Sequence, residues 1–412
     1  MKKSPFFEVI KLTNFRRIWG SQIFSQVTLN FINFVIILRI FEATHSTVAV
    51  SLVWVFYAIP AILLGPFSGT IVDLFQKRKI LMYTTFFEAF IVLCYLLVKH
   101  KLWPIYSVIF LYSLVNQLYI PAEASTLPWV VSKNLLPVAN SFFLFTIYGA
   151  FLIGFGLAGP VVKLIGREVP FILGFLSLII ASLLVSNLSK EEGKKGKIRD
   201  IQDFWIKVKE GYLFIKSQPT ILFPLLLLVF SQVIIGVIAV LSPSLATEIL
   251  AIDLLDAGPA LVLPAGFGAV IGVLGVTSLL RKKVRKKKII SFGLFLSAVS
   301  LLSIATVVPF LGNLRALVAM GIAFLLGIGL VSLIVPVQTL LQEKTPEDKR
   351  GRVFGVLGFA VTLASILPVL LTATIADILG VNFILGIIAI IIGAVWIYSL
   401  REPYEIFSYN RT

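Results

Sequence analysis

The chain has 412 residues, of which 58% are hydrophobic and 14% are charged, and its mean hydropathy is +1.00. A water-soluble protein cannot bury that much apolar surface, so the composition excludes one and indicates a protein solvated by lipid. The formal net charge of +16 is compatible with nucleic-acid binding. Its cations cluster between apolar segments instead, which is typical of membrane orientation, and we expect no nucleic-acid partner.

Twelve segments approach the length of about 20 apolar residues that a membrane span needs. Only helices satisfy every backbone group internally in so many spans, so the sequence predicts an all-α membrane protein. The predicted spans are residues 18–41, 48–72, 80–98, 104–127, 139–165, 169–188, 219–247, 255–280, 289–309, 314–341, 353–378 and 381–400. They divide six and six, which predicts an N-terminal bundle in residues 1–188 and a C-terminal bundle in residues 219–412.

The distribution of Lys and Arg predicts the orientation of these spans. With the N-terminus inside, 30 of the 36 cations fall in inner segments. Cytoplasmic loops carry such an excess, so we expect both termini in the cytoplasm and the protein in the cell membrane. The chain has no apparent cleavable signal peptide, because residues 1–17 are polar and basic.

The polar segment between the predicted bundles, residues 189–218, begins with a charged stretch and then becomes periodic. Apolar residues from Ile201 to Ile215 recur at helical spacing with lysines between them, which predicts an amphipathic helix on the inner membrane surface. Seven cations then crowd into Arg281–Lys288. They indicate orientation and are also candidates for contact with anionic lipid heads.

Few residues of this chain are suited to catalysis or to metal binding. The single cysteine, Cys94, lies inside an apolar segment, and the two histidines, His45 and His100, lie between spans. We find no nucleophile–base pair, phosphate-binding loop or cluster of metal ligands in the sequence. The sequence therefore predicts no enzyme activity, no cofactor and no metal site.

The two predicted bundles repeat weakly in sequence. Phe24-Ser-Gln-Val recurs as Phe230-Ser-Gln-Val, and the same offset of 206 carries Gly69 onto Gly275. The acid that follows Gly69 is not repeated, because Asp73 corresponds to Leu279. Two related six-helix bundles indicate a pseudo-symmetric transporter with a site near the membrane midplane.

The loop after the second span contains a glycine, an acid and three cations, and a membrane stop signal needs only the cations. Three further stretches are distinctive: Asn14 to Gly20 at the first span, Pro121 to Pro128 in the fourth, and Leu341 to Gly355 before the eleventh. Together these stretches resemble the major facilitator superfamily, most closely its drug, macrolide and siderophore exporter branch. The residues that match in the loop are Gly69, Asp73, Lys77 and Arg78.

The resemblance implies a fold of two pseudo-symmetric six-helix bundles and a conformational latch at its cytoplasmic face. In this latch Asp73 would meet the start of the eleventh span, and Glu123 would hold Lys77 or Arg78. Gly69 would allow a close approach of helices. The residues opposite Asp73 are Arg350, Gly351 and Arg352. The fifth span partly matches an antiporter signature, and its small residues favour close helix packing; they are Gly154, Gly156, Gly159 and Pro160.

The same resemblance implies that spans one, four, seven and ten line a substrate cavity. Polar residues lie on one face of the first and fourth spans, and the seventh and tenth each carry a counterpart. These stripes line the cavity or bond neighbouring helices. Amides and aromatics with few charges favour a large amphipathic or weakly charged ligand. The cavity candidates are Gln22, Gln26, Asn30, Asn33, Tyr112, Asn116, Tyr119, Gln232 and Gln338.

One ionisable residue, Glu88, lies well inside a predicted span of the first bundle, and another, Arg39, lies nearer the end of a span. Glu88 lies about 12 Å along the third span, at 1.5 Å per residue. It is either a proton carrier or a structural residue hydrogen-bonded to a neighbouring helix. Arg39 lies near the outer end of the first span, where we expect its side chain to extend to the membrane surface.

The sequence therefore predicts a secondary transporter that exports a small amphipathic molecule by alternating access. Its expected partners are that molecule, the lipid bilayer and protons, and we expect a monomer. Two other functions stay open on the same scaffold. One is a lipid flippase or uncoupled facilitator, and the other is a membrane sensor that transports nothing.

Overall fold

The computed structural model describes residues 5–98, 101–132, 134–189, 209–210, 212–346 and 350–401. Twelve helices in these ranges are long and apolar enough to cross a membrane, so the prediction of twelve spans is confirmed. No strand occurs in the same ranges. The chain is thus a multi-pass, all-α membrane protein.

The first six helices are α1 (Thr13–Thr44), α2 (Thr47–Leu74), α3 (Lys77–Val98), α4 (Leu102–Val130), α5 (Leu136–Gly156) and α6 (Val169–Ser186). The second six are α7 (Pro219–Ser244), α8 (Leu263–Arg281), α9 (Lys286–Thr306), α10 (Arg315–Lys344), α11 (Arg350–Leu379) and α12 (Val381–Arg401). A short helix, Pro5–Lys11, precedes α1.

Three of the long helices change their winding near a glycine or a proline. Helix α5 ends at Gly156, and after one non-helical residue, Leu157, the chain continues as a short helix, Ala158–Ile165. A π-helical turn, Leu245–Ile249, continues α7 after Pro243. A second π-helical turn, Gly258–Val262, contains Pro259 and precedes α8. Proline removes a backbone donor, so the helix must adjust its hydrogen bonds at these points.

The chain divides into two compact units. The first contains Met1–Ala43 and Leu52–Ile201, and the second contains Thr44–Ser51 and Gln202–Thr412. The short segment Thr44–Ser51 belongs to the second unit. Hydrogen bonds to Asp377 of α11 explain why this segment belongs to the second unit. The Asp377 carboxylate accepts from the backbone N–H of Thr47 at 2.7 Å and of Val48 at 3.1 Å.

The apolar core of the first unit lies towards one end of its helices. Phe15 of α1, Leu81 of α3, Tyr119 of α4 and Phe143 of α5 are all buried there. Rings stack within this cluster, with Phe15 and Trp19 at 6.0 Å between centroids. This packing fixes α1, α3, α4 and α5 around the polar residues described below.

Glycines bring the helices of the second unit into backbone contact. A Cβ atom on Gly268 of α8 would overlap the carbonyl of Phe324 on α10, and one on Gly327 would overlap that of Ala265. On α9, a Cβ on Gly293 would lie 2.7 Å from the Gly329 carbonyl oxygen. Lipid is as apolar as the side chains, so this close packing is a main source of cohesion between membrane helices.

Most of the predicted amphipathic helix in residues 201–216 lies outside the described residues. The described part, residues 209–210 and 212–216, is helical, with Ile215 buried and Tyr212 exposed. The proposed bundle boundaries at 188 and 219 stay predictions.

Candidate polar site in the first unit

Glu88 lies at the centre of a hydrogen-bonded cluster between α2, α3 and α4. Its side chain is fully buried. Asn116 of α4 donates from Nδ2 to Glu88 Oε1 at 3.1 Å, and Tyr57 of α2 donates to Asn116 Oδ1 at 3.1 Å. The other carboxyl oxygen, Glu88 Oε2, has no hydrogen-bond partner within the described residues.

Helical geometry explains why these side chains meet. Tyr112 and Asn116 are four residues apart on α4 and therefore lie on one face, towards α2 and α3. Ser113, on the adjoining face, donates to the Tyr57 carbonyl at 2.6 Å, which joins α4 to α2 at the same level. Asn116 thus uses both ends of its amide within the first unit.

A small cavity of about 10 Å³ lies beside this cluster, lined by side chains of α1 to α4. Its polar walls are Thr28 and Asn33 of α1 and the three tyrosines Tyr57, Tyr95 and Tyr112. A cavity of this volume accommodates about one water molecule. Several hydroxyl and amide groups therefore surround a space of the right size for a single bridging water or a passing proton.

A second carboxyl group lies further along α4. Tyr119 donates to Glu123 Oε1 at 2.6 Å, and Tyr119 itself is only 2% exposed. Arg78 donates to the carbonyl of Leu188 at 3.0 Å, just after the end of α6. The contact of Glu123 with Lys77 or Arg78 stays a prediction.

The α1 stripe is only partly exposed. Gln22 is fully buried, and neither end of its amide has a partner within the described residues. Asn30 donates to the Gln26 carbonyl at 2.8 Å, one turn earlier. A Cβ on Gly154 of α5 would overlap Asn30, so the glycine at this position permits close packing of α5 on α1. Gln26, Asn30 and Asn33 are partly exposed.

The counterparts in the second unit have a different environment. Gln232 of α7 and Gln338 of α10 are both exposed. In the first unit, by contrast, Tyr112 and Asn116 are each 6% exposed. The nine cavity candidates therefore range from side chains buried between helices, through partly exposed ones, to the two exposed glutamines.

The latch residues are described only in part. The side chains of Asp73, Arg350, Gly351 and Arg352 lie outside the described residues, so their pairing stays a prediction. A Cβ atom on Gly69 would meet no atom of the described chain within 4 Å. The close helix approach expected at Gly69 stays a prediction.

The prediction that Arg39 extends to the membrane surface was wrong. Its side chain is only 9% exposed and donates to the Tyr95 carbonyl at 2.9 Å. It also pairs with Glu168 at 3.1 Å and lies over the ring of Phe171 at 4.7 Å. These partners on α3 and around the start of α6 satisfy the guanidinium inside the unit, so it need not reach water.

Sequence reasoning missed Tyr57 and the contacts of Asp377. Tyr57 lies in an apolar span with no polar stripe of its own, so no periodic signal marked it. Asp377 also accepts from the Ser46 hydroxyl at 2.6 Å, and Thr47 bonds to Ser244 at 2.7 Å. A Ser-Thr pair before a span is a helix N-cap signal that could have suggested a carboxylate partner.

Twelve apolar helices and a buried polar cluster within the first unit define a polytopic membrane protein of the transporter type. Within the described ranges, no group of three or more His, Cys, Asp or Glu is placed to hold a metal ion. The profile of the Major Facilitator Superfamily matches residues 18–369. The chain therefore belongs to this family of small-molecule transporters, as the motifs in the sequence predicted.

Similar proteins agree with this assignment. An uncharacterized MFS-type transporter of Bacillus subtilis, YfiS, is 28% identical over 381 residues, which cover 88% of this chain and 87% of that protein. Macrolide efflux protein A of Streptococcus pyogenes is 23% identical over 384 residues, covering 89% and 90%. The crystal structure of a bacterial homologue of the human lysosomal transporter Spinster covers 98% of this chain and 100% of that chain, with 13% identity and a TM-score of 0.74.

Proposed function

We propose that this protein is a secondary active transporter that exports a small amphipathic molecule by alternating access and uses protons as the coupling ion. The observation that carries the proposal is the buried cluster of Glu88, Asn116 and Tyr57. An intramembrane carboxyl group is costly to maintain and in transporters commonly belongs to an ion or proton pathway.

The contacts of Glu88 favour a proton-binding role over a purely structural one. A carboxyl group that only joined two helices would use both of its oxygens, because a buried polar atom without a partner costs free energy. Glu88 Oε2 has no such partner within the described part of the chain. A proton bound at this oxygen would neutralise the buried carboxylate, whose charge is costly away from water.

The exporter part of the proposal rests on a different observation. A relative that covers most of this chain is a macrolide efflux protein. Macrolides are large, amphipathic molecules, in agreement with polar positions that carry amides and tyrosines and few charges. We propose Gln232 and Gln338 as ligand contacts, because both are exposed on their helices. Transport needs no chemical change of the ligand, so no enzyme activity is part of the proposal.

We test the function by flux of a radiolabelled macrolide into inside-out vesicles. Imposing a proton gradient should drive accumulation in vesicles with the protein, and an ionophore that collapses the gradient should abolish it. Accumulation equal to that of empty vesicles would contradict a macrolide-type substrate. Accumulation that ignores the gradient would instead indicate an uncoupled facilitator.

The Glu88→Gln variant separates coupling from transport. The amide keeps the volume of the side chain and can still accept from Asn116, so folding should be preserved. We expect loss of gradient-driven accumulation, while downhill exchange of the ligand continues. Glu168→Gln is the control, because Glu168 is 47% exposed and should leave coupling unchanged. An unchanged response in Glu88→Gln would assign Glu88 a structural role.

The cytoplasmic latch of Asp73 is a further part of the proposal. A carboxylate that contacts the start of α11 in one state and not in the other would bias the equilibrium between states. Asp73→Asn should therefore slow transport with little loss of ligand binding. Distances between spin labels on the cytoplasmic ends of the helices would report the shift, and an unchanged distance distribution would contradict the latch.

The cellular setting completes the proposal. The distribution of Lys and Arg supports insertion into the cell membrane with both termini in the cytoplasm. We propose that a single copy of the chain is the transporting unit, since the chain carries both predicted bundles by itself. Cysteine accessibility at residues before α1 and after α12 would test the orientation.

A further inference from the structure

A groove on the second unit combines cations at one end with aromatic rings along its floor. It has a volume of about 520 Å³ and lies between the start of α9 and the end of α12. Arg285, Lys287 and Lys288 line its charged end, and Phe292, Phe295 and Trp396 line its apolar part. None of the described residues that line it is acidic.

Contacts between the two helices build this groove. Trp396 donates from Nε1 to Ser291 Oγ at 2.9 Å, and its ring lies 5.0 Å from that of Phe295. Lys287 donates to the Leu400 carbonyl at 2.9 Å, which joins the start of α9 to the end of α12. The walls are thus held by hydrogen bonds that do not depend on an occupant.

The charged end of the groove is positive. Three cations line it, and two of them, Arg285 and Lys288, are exposed. The neighbouring Lys286, which does not line the groove, forms an ion pair with Glu343 and so compensates the charge of that acid. The described residues that line this end therefore carry a positive charge that favours an anion.

The floor requires an apolar occupant. Phe292 is 51% exposed and Phe295 is 43% exposed, although both belong to a helix that is suited to cross the membrane. On such a helix, exposed rings below a basic loop face acyl chains rather than water. A free phosphate ion would match the cations and leave the rings uncovered. An anionic phospholipid matches both parts at once.

We propose that this groove is a binding site for one anionic phospholipid, with its phosphate at Arg285 and Lys288 and an acyl chain along Phe292, Phe295 and Trp396. The Lys and Arg distribution supports a position of the loop at the cytoplasmic leaflet, where the headgroup would lie. The site lies within the second unit and does not depend on the transport function.

Quenching of tryptophan fluorescence by brominated lipids tests the site in the full chain. The protein is reconstituted into phosphatidylcholine vesicles in which a fixed fraction of lipid is brominated phosphatidylglycerol or brominated phosphatidylcholine. Subtracting the signal of Trp396→Phe isolates quenching at the groove. We expect a preference for phosphatidylglycerol of about fivefold, which corresponds to roughly 1 kcal/mol of attraction by a cation near the surface.

Two double variants separate a site from a diffuse field. Replacing Arg285 and Lys288 by Ala should lower the preference to near unity. Replacing Arg281 and Lys282 by Ala removes the same charge from the same loop, at exposed positions that do not line the groove, and should retain it. Lys287 stays in place, because its removal would also break the bond to α12.

Three results would overturn the proposal. Equal quenching of Trp396 by both lipids in the unaltered protein would show no selectivity. An equal fall of the phosphatidylglycerol preference in both double variants would show that the charge of the whole loop attracts the lipid, and not a site in the groove. Residues 402–412 could cover the groove instead of a lipid. In that case brominated lipid of either kind would quench Trp396 only after these residues are deleted.

Discussion

Glycines bring helices together in both units, at Gly154 in the first and at three crossings in the second, but the hydrogen-bonded polar cluster around Glu88 belongs to the first unit. Glu88, Asn116 and Tyr57 join three helices of the first unit. In the second unit Gly268, Gly293 and Gly327 replace side chains at the helix crossings. Polar contacts can change with a proton or a ligand, but close backbone packing cannot, so we expect the response to a proton in the first unit.

The largest effect should follow from filling a helix crossing in the second unit. In Gly327→Ala the added methyl group would overlap the Ala265 carbonyl, so α8 and α10 must separate. We expect a loss of about 3 kcal/mol, at the upper end for overpacking. Thermal unfolding in detergent measures it. Gly321→Ala on the same helix is the control, because its Cβ would meet no described atom within 4 Å. Equal unfolding temperatures would refute the glycine packing.

A smaller loss should follow from removing the central amide of the first unit. Asn116→Leu removes two interhelical hydrogen bonds and leaves the Glu88 carboxyl without its amide donor. Hydrogen bonds between membrane helices are individually weak, so we expect about 2 kcal/mol for the pair and the orphaned carboxyl together.

The matched variant in the second unit is Gln338→Leu. Gln338 is exposed on α10, so this substitution should leave the stability of the protein unchanged and lower its affinity for the ligand. If Gln338→Leu lowers the unfolding temperature as much as Asn116→Leu, the contrast between the two units is wrong.

Asp377→Asn tests a polar contact that the second unit does contain. The carboxylate accepts from the backbone of Thr47 and Val48 at the start of α2, in the manner of a helix cap. An uncharged amide accepts these bonds less well, and we expect a loss of about 1 kcal/mol. Asp253→Asn is the control, because asparagine caps a helix as well as aspartate does and should keep the bond from the Leu255 backbone. If Asp253→Asn lost as much stability as Asp377→Asn, the loss would not be due to the contacts of Asp377 with α2.

The smallest effect should follow from Glu168→Gln. Glu168 is 47% exposed and pairs with a guanidinium that also bonds the Tyr95 carbonyl. Exposed ion pairs contribute about 0–1 kcal/mol, so among the variants expected to lose stability this one should shift unfolding the least. A shift as large as that of Asn116→Leu would show that this pair holds α1 and α6 together.

Hydropathy was sufficient to predict the twelve spans, because the length and composition of a membrane helix are set by the bilayer. The motifs at Gly69–Arg78 and Leu341–Gly355 were sufficient for the family. Periodicity placed Tyr112 and Asn116 on one face of α4, and whether this face lines a substrate cavity stays a prediction. These properties are local in sequence and need no knowledge of neighbouring helices.

Contacts between helices could not be predicted in the same way. A helical stripe defines a face but not the helix that covers it, so Asn116 and Gln338 had equal standing in the sequence. The structure buries one and exposes the other. Arg39 was misjudged for the same reason, because its partners Tyr95 and Glu168 are remote in sequence. The contact between Asp377 and Thr47 was missed for the same reason, because the two residues are 330 positions apart.

The central claim is that Glu88 exchanges a proton inside the first unit, and infrared difference spectroscopy measures this directly. Spectra of the purified protein taken between acidic and alkaline buffers should contain a carboxyl C=O stretching band that disappears in Glu88→Gln and persists in Glu168→Gln. Addition of a transported macrolide should shift the same band, because it alters the hydrogen bonds of the cluster. Identical difference spectra for the unaltered protein and Glu88→Gln would contradict the account.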